Sequence, residues 1–314
     1  MSKSILTLTV NPALDRIVTV DRLVFEDRAY IESTVEAAGG RGINAARVLT
    51  NFGASVTAIT TSGKEIGRRF EEELQKDSFS KEIVKIRSSI RTNLTISDRQ
   101  GLSVKLNERG PKLTRAEQDR IVKAAENLLP QASWLMLCGS LPPEVDDRLY
   151  TRLIELATKN GVETLLDTDG DALLYGMEAQ PTIVKPNQSE AERLLNTALI
   201  TRSQLIDAVQ RIKGLGPKSV VLSLGSRGLI AATSTEGILE VIPPAVHALC
   251  PIGAGDAMSA AIVWALNSGE SFGDALRWGV AAGTASSKLP GITLANLEQT
   301  KEIYAQTQLT RVVA

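Results

Sequence analysis

Apolar positions along the chain follow two alternating spacings. Ile5–Val10 is a short apolar run closed by Asn11-Pro12, the signature of a buried strand. Ile17–Val20 and Tyr30–Val35 are short strand-like pieces with charged residues between them. From Ile43 the spacing becomes helical: Ile43, Ala46, Val48, Leu49 and Phe52 share a face, and Gly53 stops the run. Val56–Thr61 predicts a strand and Ile66–Lys76 a helix. Asn93–Ser97 and Ser103–Leu106 flank Asp98-Arg99-Gln100-Gly101, a hairpin signal. Thr114-Arg115-Ala116-Glu117 is a capping box that opens a helix to Leu129, closed by Pro130. A strand Trp134–Cys138 and a helix from about Asp146 to Asn160 follow. Next come strands Thr164–Asp167 and Thr182–Lys185, helices Glu190–Leu195 and Ser203–Lys213, and strand Ser219–Leu222. Leu229–Thr233 and Leu239–Ile242 predict a hairpin around Thr235-Glu236-Gly237. Three helices close the chain, near Asp256–Leu266, Phe272–Ser287 and Leu297–Gln306.

Strands alternating with helices of ten or more residues predict an α/β fold with a mostly parallel, doubly wound sheet flanked by helices. Residues 13–36 and 91–106 break the alternation, because their strands have no helix between them. They predict a small antiparallel β lid inserted in a single domain spanning 1–314. Such a lid has unpaired strand edges, and covering them gives a reason to expect a homodimer.

Composition narrows the function classes. Lys plus Arg number 35 against 36 Asp plus Glu, a net charge of −1, which removes the basic footprint of a dedicated nucleic-acid binder. No uncharged apolar stretch approaches the roughly 18 residues that span a bilayer. No small-residue cleavage site follows Ile5–Val10, so a cytoplasmic protein with no membrane partner is expected. Cys138, Cys250 and His247 are too few for a four-ligand zinc site or a disulfide framework.

Four glycine-rich or polar segments carry candidate chemistry. Gly40-Arg41-Gly42-Ile43-Asn44-Ala45 matches a dinucleotide fingerprint, with Glu65 roughly where a ribose-binding acid would fall, so an NAD-dependent oxidoreductase is a rival reading. The preceding run, broken by Glu36 and ending Ala37-Ala38-Gly39, is poor strand material and counts against it. Gly253-Ala254-Gly255-Asp256 opens a small-residue helix. Its free amides suit a phosphate or a developing negative charge, and Asp256 beside them suits a general base. Lys185-Pro186-Asn187-Gln188-Ser189-Glu190 stands at a strand end, where Asn187 and Glu190 offer oxygen ligands for magnesium or simply a helix cap. Ser223-Leu224-Gly225-Ser226-Arg227-Gly228 follows another strand, as a phosphate approach or a plain turn.

In this order, and together with Asn11-Pro12-Ala13-Leu14-Asp15 and Cys138-Gly139-Ser140-Leu141-Pro142, these segments resemble the phosphofructokinase B family of carbohydrate kinases. The likeness covers nearly the whole chain and implies the ribokinase-like fold. It is nearest to the branch acting on ketohexose phosphates. It implies ATP-dependent phosphorylation, first of fructose 6-phosphate to fructose 1,6-bisphosphate, with 1-phosphofructokinase or tagatose-6-phosphate kinase as alternatives. By resemblance, Asp256 is the base and Gly253, Ala254 and Gly255 form the anion hole. Asn187 and Glu190 organise Mg2+, and Lys185, Asn187, Ser223, Gly225 and Gly228 line the ATP site. Asp15, Gly39, Gly40 and Asn44 bind sugar hydroxyls. Arg28 and Arg91 hold the phosphate already on the substrate, assisted by Ser140. Planar guanidinium groups on a lid suit a phosphate better than a neutral sugar on physical grounds alone. A monovalent-cation site is also implied, but Leu249-Cys250-Pro251-Ile252 stand where relatives carry hydroxyl side chains.

Overall fold

The first apolar run becomes the centre of the fold because it is buried on both faces. The structure, a computed structural model, describes residues 3–24, 26–100 and 102–312. In chain order it places β1 (Ser4–Thr9), β2 (Ala13–Val20), β3 (Ile31–Gly39), α1 (Arg41–Asn51), β4 (Val56–Ser62), α2 (Lys64–Leu74) and β5 (Ser80–Lys85). There follow β6 (Arg91–Asp98), β7 (Ser103–Asn107), α3 (Arg115–Leu128), β8 (Ala132–Cys138), α4 (Leu149–Lys159), β9 (Glu163–Asp167) and α5 (Gly170–Glu178). The remainder is β10 (Ile183–Val184), α6 (Gln188–Leu195), α7 (Arg202–Lys213), β11 (Ser219–Ser223), β12 (Leu229–Ala232) and β13 (Ile238–Ile242), then α8 (Ala254–Asn267), α9 (Phe272–Ser287), α10 (Leu297–Tyr304) and β14 (Gln308–Val312).

Ten strands form one sheet in the order β14-β13-β12-β11-β10-β9-β8-β1-β4-β5. Pairing is parallel from β5 through β11 and antiparallel from there to β14. The register aligns the carboxyl ends: Leu8 pairs with Leu137, Cys138 with Asp167, and Leu166 with Val184. Residues that follow those strands therefore emerge along one edge, where open α/β sheets bind ligands. Close packing needs small residues. A Cβ on Gly42 would lie 2.4 Å from the Thr9 hydroxyl, so only glycine lets α1 settle onto β1. Likewise α9 meets α8 through Gly279, whose Cβ would lie 2.5 Å from Ile262.

The second sheet has the order β3-β2-β6-β7. Its two hairpins are antiparallel, but they join through a parallel pairing of β2 with β6, from Ala13↔Arg91 to Val20↔Asp98. This is the small antiparallel lid expected from the sequence, its two hairpins joined by one parallel pair. The segment read as poor strand material is corrected, since β3 runs on through Glu36 to Gly39. At Gly39 close approach to Asp15 of β2 excludes any side chain. Gly101 of the hairpin turn lies outside the described residues. Sequence patterning omitted β5, α5 and β14. Among the described residues no helix is long and apolar enough to cross a membrane.

Candidate active site

The turn into α8 is built by its glycines. Gly253 holds φ +78, a left-handed conformation that glycine adopts without strain, and stands at the helix N-cap without a side-chain cap. Ala254 donates its amide to the Pro251 carbonyl at 3.3 Å. Among the described residues the amides of Gly255 and Asp256 have no such partner, and they stand at the positive end of the helix dipole.

Asp256 sits half-buried on this first turn. Its Oδ2 accepts a 2.8 Å hydrogen bond from the Asn44 side-chain amide, which ties α8 to α1. Asn44 is oriented in turn by Arg47, whose Nη1 donates to Asn44 Oδ1 at 3.3 Å. Arg47 is itself clamped by Asp77 through three bonds of 2.9–3.1 Å. Burial, and then the nearby charge of Asp167, push the Asp256 carboxyl up to about 6. A base poised there is ionised at neutral pH yet can hold a proton.

Beneath Asp256 lies a chain of buried charges. Asp167, at the end of β9, receives Lys185 Nζ at 3.0 Å, Arg41 Nη1 at 3.0 Å and the Ser259 hydroxyl at 2.8 Å. Burial pulls the Asp167 carboxyl upward, but the two cations outweigh it and hold it below its ordinary value. Arg41 also reaches Asp169 at 3.1 Å and Glu190 at 3.6 Å. Lys185 approaches the anion turn: a Cβ on Gly255 would lie 3.8 Å from its Nζ.

On the other side of Asn44, Asp15 Oδ1 accepts from Asn93 Nδ2 at 2.9 Å, joining β2 to β6. A Cβ at position 39 would fall 2.1 Å from Asp15 Oδ2, so only glycine fits beside that carboxylate. Gly40 caps α1 next to it. Arg91 lies close enough to Asp15 to lower its pKa, although burial raises that pKa overall. The Nε of Arg91 and the Oδ1 of Asn93 are buried with no hydrogen-bond partner among the described residues, which suits groups awaiting a polar ligand. Ser140 follows β8 beside Gly139, whose Cβ would lie 3.9 Å from the Arg41 stem. Arg28 is on the exposed loop between β2 and β3, its amide bonded to Asp27, with no contact to this cluster among the described residues.

A cleft of about 570 Å³ opens on the far side of the anion turn. Ser223, Gly225 and Gly228 line it with Asn187, Ala254 and Gly255, and Pro243, Val246, Met258 and Val280 supply apolar walls. A β-bridge between Asn187 and Ser223 holds two of these loops together. The volume and the mix of apolar wall and few polar groups match a small-ligand site. Thus the base, the anion turn and the cleft are contiguous.

A family model described as "pfkB family carbohydrate kinase" matches residues 9–299. The chain belongs to this family of carbohydrate kinases. Over 306 residues the kinase is 32% identical to the ATP-dependent 6-phosphofructokinase isozyme 2 of Escherichia coli, covering 96% of this chain and 98% of that one. It is 28% identical over 305 residues to a 1-phosphofructokinase of Borreliella burgdorferi, covering 97% and 98% respectively. A crystal structure of phosphofructokinase-2 from E. coli in complex with fructose-6-phosphate superposes with a TM-score of 0.89 at 31% identity, covering 97% of this chain and 99% of that one.

The dinucleotide fingerprint has a different meaning in the kinase. The strand before Gly40 belongs to the small sheet, so no βαβ unit is formed, and Glu65 is an exposed partner of Arg68 on α2. Sequence reasoning missed Asn93, Asp167, the Arg47–Asp77 clamp and the ion pairs of Arg41. Each depends on at least one partner 30 or more positions away in sequence, and no local pattern marks them.

Proposed function

We propose that this kinase transfers the γ-phosphoryl of ATP to a hydroxyl of a ketohexose phosphate, with fructose 6-phosphate giving fructose 1,6-bisphosphate as the first reaction to test. The observation that carries this reading is the half-buried Asp256. It is held 2.8 Å from Asn44 where the anion turn separates the cleft from the Asp15–Arg91 cluster. Asp256 takes the proton of the attacking hydroxyl. The amides of Gly253 and Gly255, with that of Ala254 turning from the Pro251 carbonyl, stabilise charge on the transferring group. Asp15, Gly39, Gly40 and Asn44 hold sugar hydroxyls, while Arg91 and Ser140 hold the substrate phosphate and Arg28 joins them from the exposed loop when the lid closes. Lys185, Ser223, Gly225 and Gly228 serve the nucleotide. We treat 1–314 as one domain whose small sheet is a lid that excludes water from the transfer.

Mg2+ fits the donor set present. Asn187 Oδ1 caps the Glu190 amide at 2.9 Å and Glu190 Oε2 accepts from the Asn187 amide at 2.8 Å, which leaves Glu190 Oε1 outside the cap. Few oxygen ligands suit a hard ion that keeps most of its waters. Among the described residues no group of three or more His, Cys, Asp or Glu is arranged as a metal cage. Asn187 and Glu190 would therefore organise the ion with its waters and the ATP phosphates, and the ion would offset phosphate charge. Exposed Ile31, Val35 and Leu106 on the lid are apolar surface that a second copy would cover, so a homodimer through the lid accompanies the reading. We read the enzyme as cytoplasmic, where ATP is available as co-substrate.

The likeness to a 1-phosphofructokinase keeps fructose 1-phosphate as a second acceptor, and tagatose 6-phosphate is the third. A coupled ADP-release assay over the three ketohexose phosphates, with free fructose as control, tests the proposal. Turnover on at least one phosphorylated ketohexose, well above free fructose and above ATP hydrolysis alone, is expected. No such preference on any of the three refutes it.

A further inference from the structure

We infer that Arg41 is the built-in counter-ion of the carboxylates that receive the metal, and that the cation arriving with ATP frees its guanidinium to act on the transferring phosphoryl. The inference rests on the proposed kinase reading and on Glu190 as the metal-organising acid. Of the two Glu190 oxygens, Oε2 is consumed by the Asn187 amide, and Oε1 is the oxygen that Arg41 Nη2 approaches at 3.6 Å. The group that a cation needs is therefore the group that Arg41 neutralises. The same guanidinium holds Asp167 at 3.0 Å and Asp169 at 3.1 Å, so one side chain balances three carboxylates. A metal ion held beside Glu190, even through its waters, would repel the guanidinium at such range. Arg41 must then loosen its hold on Glu190 when the site is loaded.

Where Arg41 goes is set by its anchor. Its Cα is the first residue of α1, one turn before Asn44, which holds the base Asp256. The side chain is one-third exposed, so it has room to swing. Its stem passes Gly139, next to Ser140 on the expected sugar-phosphate side. A guanidinium tethered there stands between the two substrates, and its planar fork matches phosphoryl oxygens bidentately. The exchange makes and breaks no covalent bond: Arg41 leaves one oxyanion for another while the metal charge replaces it at Glu190.

The test compares wild type with Arg41→Met, which keeps length and removes charge. Mn2+ binding to the nucleotide-free enzyme, read by the free-ion electron paramagnetic resonance signal, should tighten about tenfold or more in the variant. In the same variant kcat should fall by about a hundredfold or more while KM for the sugar phosphate stays within a few-fold. Arg41→Lys keeps one charge in the cluster and guards against loss of folding. It should lie between the other two in Mn2+ affinity. Unchanged or weaker Mn2+ binding in both variants overturns the competition, and an unchanged kcat overturns the transfer to the phosphoryl. A wild type that releases no ADP with any ketohexose phosphate, whatever the Mn2+ result, overturns the kinase reading instead.

Discussion

The raised pKa of Asp256 makes a stability prediction opposite in sign to its effect on activity. The carboxyl rises from an ordinary 3.8 to about 6 on folding, so the folded state binds its proton more tightly than the unfolded chain does. Folding stability is therefore undiminished below the unfolded value, falls as pH rises from about 4 through 6, and stays reduced above that. A rise of about two on the pH scale corresponds to about 3 kcal/mol at pH 7.5. Asp256→Asn removes the ionised state and keeps an oxygen to accept from Asn44, so it should relieve most of that strain. For a domain of this size, about 2 kcal/mol or more raises the unfolding midpoint by roughly 3–6 °C. The gain should shrink to about half at pH 5, where the folded carboxyl is already mostly protonated. Turnover should drop by about 10² to 10⁴. Thermal unfolding at pH 7.5 and pH 5, with ADP release at pH 7.5, reads all of this. A variant that unfolds at or below the wild-type temperature at pH 7.5 refutes the strained-carboxylate reasoning, and one within tenfold of wild-type turnover refutes the base.

Two further outcomes follow from the sugar side. Gly39→Ala drives a methyl into the Asp15 carboxylate, so calorimetry should lose sugar-phosphate binding while ATP binding persists; intact sugar-phosphate affinity would show that Asp15 does not hold the sugar. Arg91→Ala should raise KM for a phosphorylated ketohexose about tenfold or more and leave the weak reaction with free fructose nearly unchanged, and equal effects on both would remove its phosphate role.

Local sequence carried much of the fold because strand and helix periods are local properties. The capping box at Thr114 and Glu117 forms as its spacing requires, and β1, β4, β8 and β11 appear within a residue or two of their apolar runs. Exceptions have physical causes. β14 lies exposed at the sheet margin, so its residues alternate weakly, and α5 starts on a left-handed Gly170 that reads as a turn. β3 continues through Ala37-Ala38-Gly39 because it pairs with β2, and at Gly39 the Asp15 carboxylate leaves no room for a side chain, a demand visible only once the two strands are paired.

The candidate site divides in the same way. Sequence by itself identified the glycine turn before Asp256, the Asn187–Glu190 pair and the Ser223 turn, because backbone freedom, helix capping and anion binding each need particular residues at short spacing. Tertiary structure alone decided that Asn44 holds Asp256 across 212 positions and that Asp167 gathers Arg41 and Lys185 beneath it. It also decided that the Gly40–Ala45 fingerprint follows a strand of the small sheet and packs α1 on β1 of the large one, rather than opening a dinucleotide-binding βαβ unit. Those outcomes depend on which strands lie side by side and in what register. That is settled by burial of the whole core, and no stretch of chain contains it.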